Sequence, residues 1–253
     1  VMVKIVMFLI PDGRKTESDP FETLYLDENV KNQPAAALQL VAKEILHLSD
    51  QVKKVLHDTV TVVKENQMQG VDKIQEESAK VTKLTDKITD YLAGLFSSGL
   101  LTEQQASQTA GLMYVLGDVE RIGNLSAGIA LSMKEKETNQ YKYSQEAMDE
   151  LAKCLKTLEK MFDSATKALR GDTTVELEKL MKRKDKIVNL DIMMRKSHIQ
   201  RVNKGKCKAS LTTPFTNILH LIDRMGNSCI NLADAATNEV ALKYFLPKDE
   251  MTM

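Results

Sequence analysis

The sequence predicts an all-α fold, two three-helix repeats forming a six-helix antiparallel bundle. Three observations lead there. Apolar residues recur three and four apart over long stretches, which is the spacing of one helix face. Helix breakers are scarce, with 5 Pro and 11 Gly in 253 residues, while straight-chain residues that lose little rotamer freedom in a helix abound. A short motif occurs twice, as Gly117-Asp118-Val119-Glu120-Arg121-Ile122-Gly123-Asn124 and as Ile222-Asp223-Arg224-Met225-Gly226-Asn227. Aligned on Arg121 and Arg224, the copies share an acid, Arg, an apolar residue, Gly and Asn. Small residues follow each copy, from Ser126 to Ala130 and from Ser228 to Ala236, so the chain reads as two related halves.

The lead, residues 1–33, is apolar over Val1–Ile10 and then polar and turn-rich, with Phe21–Leu26 as a short extended piece. Val1–Ile10 is a short strand, a docked tail or the end of something membranous. It falls short of the about 20 apolar residues a bilayer span needs and lacks the basic front and small-residue cleavage site of a signal peptide. The first repeat, 34–138, opens at Pro34, a residue suited to a first helical turn. Its first stripe is Leu38, Val41, Ile45, Leu48, Val52, Val55, Thr59 and Val62, closed by Gly70. The second helix carries Val71, Ile74, Ser78, Val81, Leu84, Ile88, Tyr91 and Leu95 and stops at Ser97-Ser98-Gly99. The third opens on a Thr102/Gln105 capping box. Its stripe is Leu112, Val115, Val119, Ile122, Ser126, Ile129 and Met133, with the motif in its middle.

A polar connection, Lys134–Lys142, divides the halves. The second repeat, 139–240, begins a helix near Ser144 with Met148, Leu151, Leu155, Leu158, Phe162, Ala165 and Leu169, ended by Gly171. A Thr173/Glu176 capping box starts the fifth helix, with Leu177, Leu180, Ile187, Leu190, Met194 and His198 inward. After a loop at Asn203–Ser210, Thr213-Pro214 starts the sixth helix, with Ile218, Leu221, Met225, Ser228, Leu232 and Ala235 inward. Residues 241–253 form a C-terminal tail, frayed over Leu246–Met253.

Composition narrows function. Lys plus Arg equals Asp plus Glu at 35 each, so no global charge points to nucleic acid. Lys179–Lys208 holds eleven Lys/Arg against Asp185 and Asp191, which reads as a solvated face or as a surface turned to an anionic leaflet or a transporter's loops. Cys154, Cys207 and Cys229 share no metal-like spacing and suit buried thiols in a reducing compartment. His198 reads as a buried core histidine, and His47, His57 and His220 as exposed or helix-boundary residues. No Gly-rich phosphate loop, nucleophile elbow or Cys/His constellation appears, so no catalytic residue is assigned and the chain is not read as an enzyme.

The motif carries the chemistry there is. Glu120 with Asn124, and Asp223 with Asn227, sit four apart, one turn along one helix face. Gly123 and Gly226 lie inside helices, where Gly costs about 1 kcal/mol against Ala, so a neighbouring helix should approach closely there. Arg121 and Arg224 would reach a carboxylate nearby, with Asp118 available to Arg121. Four readings stand open: metal binding by oxygen ligands on facing helices, anion or phosphate binding through the Arg side chains, a partner-docking face, and an internal polar layer that fixes helix register.

Asp118-Val119-Glu120-Arg121-Ile122-Gly123-Asn124 with its Ala-rich tail resembles the signature of the PhoU family of phosphate-uptake regulators, over roughly residues 35–240. The lead, with Tyr25-Leu26-Asp27-Glu28 before Pro34-Ala35-Ala36-Ala37-Leu38, resembles the PhoU-like domains that follow the last membrane helix of bacterial sodium/phosphate cotransporters. The resemblance implies two three-helix repeats and a non-catalytic regulatory role in phosphate uptake. It implies the cytoplasmic face of the cell membrane, with the transporter portion of the same protein or a phosphate-signalling partner bound; pairing of two bundles stays open. The family typically closes the motif with Asp, an acid pair that holds iron, zinc or multinuclear clusters. Here both positions are Asn, so no cofactor is expected. The alternative is a divalent metal or iron at Glu120, Asn124, Asp223 and Asn227; a free-standing helical scaffold is a third reading.

Overall fold

Six long helices follow one another, and no strand occurs among the described residues: α1 Pro34–Glu65, α2 Val71–Ser97, α3 Glu103–Thr138, α4 Gln145–Leu169, α5 Leu177–Asn203 and α6 Thr212–Thr237. The computed structural model describes residues 23–138, 143–172, 175, 177–237 and 242–245. The expectations for Val1–Ile10, the Thr173/Glu176 capping box and the tail beyond Phe245 lie outside the described residues.

The stripes read from the sequence are the buried faces, except that Leu177 and Leu190 of α5 and Leu221 and Ala235 of α6 are half-buried. Every stripe position of α1, α2 and α4 is buried, and so is the α3 stripe from Leu112 to Met133. Caps form where side chains permit. The Thr102 and Gln105 side chains each accept the other's backbone N–H, and the Ser144 hydroxyl accepts from Ala147 N–H. Gly171, at φ 99°, ends α4: its N–H bonds to Ala168 O and that of Asp172 to Lys167 O, a Schellman closure.

Three boundaries differ from expectation. Asn66 rather than Gly70 ends α1, taking the left-handed conformation at φ 52° with its N–H on Val62 O. Gly70 instead closes a 3-10 turn, Met68–Gly70, that leads into α2. The helical part of the connection expected over Lys134–Lys142 reaches Thr138, because Lys134-Glu135-Lys136-Glu137 is a good helix-forming run even with no apolar stripe. Residues 23–27 are bends and coil, not a strand. They are held to the bundle because Tyr25 N–H donates to the fully buried Glu44 carboxylate and Tyr91 O–H donates to Asp27 O.

The halves join through two antiparallel pairs, α1 with α4 and α3 with α6; α2 and α5 lie outside them, on opposite flanks. Down the α1/α4 seam run Asp50 with Arg170, Lys53 with Asp163 and His57 with Glu159, and the falling numbers on α4 fix the antiparallel order. Thus α3 and α6, the motif helices, occupy the middle of the molecule.

Candidate functional site

The first motif copy is gripped from two sides. A Cβ added at Gly123 would stand 3.2 Å from Val52 Cγ2 of α1 and 3.3 Å from Val81 Cγ1 of α2, so the absent side chain lets three helices converge. On the next residue, Asn124 Nδ2 donates to Glu120 Oε1 one turn back at 3.2 Å. The Asn124 carbonyl oxygen accepts from Ser78 Oγ at 3.0 Å and Thr82 Oγ1 at 3.2 Å. Gln75 Nε2 continues the row onto Ala127 O at 2.8 Å. The polar residues of α2 therefore read the motif side chain by side chain, and the acid–Asn spacing yields the expected pair.

The second copy keeps the pair and changes the grip. Asn227 Nδ2 donates to Asp223 Oδ2 at 3.3 Å. The neighbour of Gly226 is Lys184: a Cβ there would come within 3.0 Å of Lys184 Cδ. The Lys184 ammonium, its side chain only 12% exposed, donates to the Asp223 carboxylate and to the Asp223 carbonyl at 2.9 Å. Lys184 is a site residue that the repeated motif does not announce. Its signal was present: it fills the vacant slot between Leu180 and Ile187 in the inward stripe of α5.

The two copies are brought to one seam, and Asp118 is the residue that crosses it. Its Oδ1 accepts from Ser228 Oγ of α6 at 2.8 Å and from Arg121 at 3.3 Å, and its Oδ2 accepts from Asn231 Nδ2 at 3.1 Å. In motif register the counterpart of Asp118 is Leu221, which packs toward Gly128 at 3.6 Å from a Cβ position there. One side of the seam is polar and the other apolar. Arg224 therefore lacks an acid one turn back, and it is exposed with no ion pair among the described residues. Burial, and then the nearby Asp118 charge, push the Cys229 thiol far up. Burial likewise holds the Cys154 thiol at about 12, so neither is a nucleophile. Cys207, expected to be buried, is half-buried.

These residues do not fit a multinuclear metal centre. Such a centre needs several anionic ligands around each ion. Each copy offers one acid–amide pair; the further acid of the first, Asp118, is taken up by Ser228, Asn231 and Arg121, the Asn124 oxygen already receives two hydroxyls, and Lys184 stands on Asp223 where a metal cation would sit. Among the described residues no three His, Cys, Asp or Glu side chains converge as a metal set. The arrangement instead does what a register-fixing polar layer does, tying α3 to α2, α6 to α5 and α3 to α6.

The comparisons agree with the architecture. The PhoU domain model matches residues 45–133 and again 151–236, one match for each repeat. Among solved structures, PhoU from Pseudomonas aeruginosa superposes with TM-score 0.69 at 14% identity, over 78% of this chain and 93% of that one. The phosphate transport system regulatory protein PhoU from Streptococcus pneumoniae gives TM-score 0.67 at 16% identity, over 81% and 95%. Among curated proteins nothing matches. With both repeats matched and the fold shared, the chain belongs to the PhoU domain family.

Proposed function

We propose that the chain is a non-catalytic regulatory module of phosphate uptake, acting by docking to a membrane transporter or a phosphate-signalling partner. In the fuller form of this reading it is the cytosolic part of a sodium/phosphate cotransporter-like protein, at the cytoplasmic face of the membrane. The observation that carries the proposal is the PhoU domain match over both repeats, on a bundle whose motif side chains are engaged in holding helices together. A bundle so fastened presents rigid faces, and a rigid face biases a partner by binding one of its conformations better than the other. No helix among the described residues is long and apolar enough to cross a membrane, so the transporter portion must be supplied by other chain segments or another protein.

Deleting the two repeats in the producing cell tests the proposal, with radiolabelled phosphate uptake followed in phosphate-poor and phosphate-rich medium. Altered uptake, or altered response to external phosphate, is the expected result. Unchanged uptake and unchanged control would reject it. The cotransporter form fails separately if the complete reading frame encodes no membrane helices beside this segment.

A further inference from the structure

We infer that α5 lies on an anionic lipid surface, because its outer flank joins an exposed apolar stripe to a dense band of Lys. Met181, Val188, Ile192 and Ile199 fall three or four residues apart, or at multiples of that spacing, and so line one flank of the helix. They are exposed by 46%, 39%, 59% and 56%, with Met193 at 60%. Five of the twelve exposed large hydrophobics among the described residues thus belong to this one helix. Lys182, Lys186 and Lys196 are exposed beside the stripe, and Lys204, Lys206 and Lys208 extend the band into the following loop. Asp191 on this helix is held by Arg195, and Glu178 pairs with Lys182 and offsets it, so Lys186 and Lys196 with the loop lysines supply the net charge against Asp185.

An apolar strip flanked by long basic side chains suits a helix lying in the headgroup region. The strip enters the acyl boundary while Lys stems run along it and place their ammonium groups on lipid phosphates. Charge selects the occupant. A second copy docked face to face would set one Lys band against the other, like charge on like charge. The other flank of the molecule differs: in motif register the stripe of α5 corresponds in α2 to Ser78, Thr85, Thr89 and Phe96, of which Ser78 and Thr85 are buried, so α2 carries no matching exposed apolar stripe. The inference stands apart from the phosphate reading, and its failure would leave that reading untouched.

The test is co-sedimentation of the purified chain with vesicles of phosphatidylcholine alone and of phosphatidylcholine mixed with phosphatidylglycerol, at low and high salt. The expected result is binding to the mixed vesicles that weakens with salt. Each charge removed in Lys182→Gln, Lys186→Gln and Lys196→Gln should lower partitioning by about fivefold. Ile192→Ser/Ile199→Ser should weaken binding further while circular dichroism stays helical. Lys83→Gln/Lys87→Gln on α2 should change little. Absence of binding to mixed vesicles, equal binding to both vesicle types, or a dimer dispersed by Ile192→Ser/Ile199→Ser would each overturn the inference; the last would assign the face to a second copy.

Discussion

α2 and α5 hold the same place in the two repeats and are held there by different means. α2 buries ten residues, nearly all apolar or hydroxyl-bearing, and meets the motif with Val81, Ser78 and Thr82. α5 buries only five, two of which are His198 and Arg201, and meets the motif with an ammonium group. One backbone frame thus tolerates a neutral hydrogen-bonded layer in one half and an ion pair in the other. What both require is the small residue at Gly123 and Gly226, since both glycines face a side chain at near-contact distance. The motif preserves a close approach first and a particular chemistry second.

The glycines give the largest expected effect. Gly123→Val forces two β-branched buried neighbours, Val52 and Val81, to give way, and should cost about 1–3 kcal/mol in denaturant unfolding. Gly226→Ala meets only the flexible stem of Lys184, and should cost less than about 1 kcal/mol because helix propensity returns a similar amount. Equal losses at the two positions would break the comparison. Next comes the ion pair. Lys184→Val/Asp223→Asn removes both charges of the pair. It should leave stability within about 1 kcal/mol, because replacing both members of a partly buried pair leaves no charge stranded, whereas Lys184→Val alone should cost more than the double variant.

The smallest effect is in pH. Burial, and then the Arg201 charge, lower the pKa of His198, whose ring is stacked on Phe215 and bonded to Thr212. The folded state therefore refuses a proton that the unfolded chain accepts below the ordinary value of 6.5. Stability should be flat above that pH and lost as pH falls from it toward the folded value. Leu95 takes the equivalent place in α2, so His198→Leu should remove this slope. Glu150, raised by burial, contributes the opposite slope above its own ordinary value, and comparing wild type with His198→Leu cancels it. Identical pH profiles for the two would contradict this account of His198.

The helices were legible because their apolar positions repeat with the helical period, and the acid–Asn pairs because residues four apart share a face. The end of α1 was not, since Asn66 stops a helix as well as Gly does and carries no distinct composition. The length of α3 was misread because charged residues look like a connection while favouring helix. Met181 and Met193 lie off the inward stripe of α5 and point outward, which residue type alone does not announce. The reach of Asp118 to Ser228 and Asn231 is a tertiary fact, since nothing near any of the three announces the others.

The central claim is that the repeated motif fastens helices and does not hold a metal cluster. Elemental analysis by inductively coupled plasma mass spectrometry, after exhaustive dialysis, tests it most directly when run on wild type and on Glu120→Ala/Asp223→Ala. The account predicts no stoichiometric metal in either protein, and a double variant that is folded but less stable. Stoichiometric iron, zinc or another divalent metal in the wild type, lost from the double variant, would contradict it.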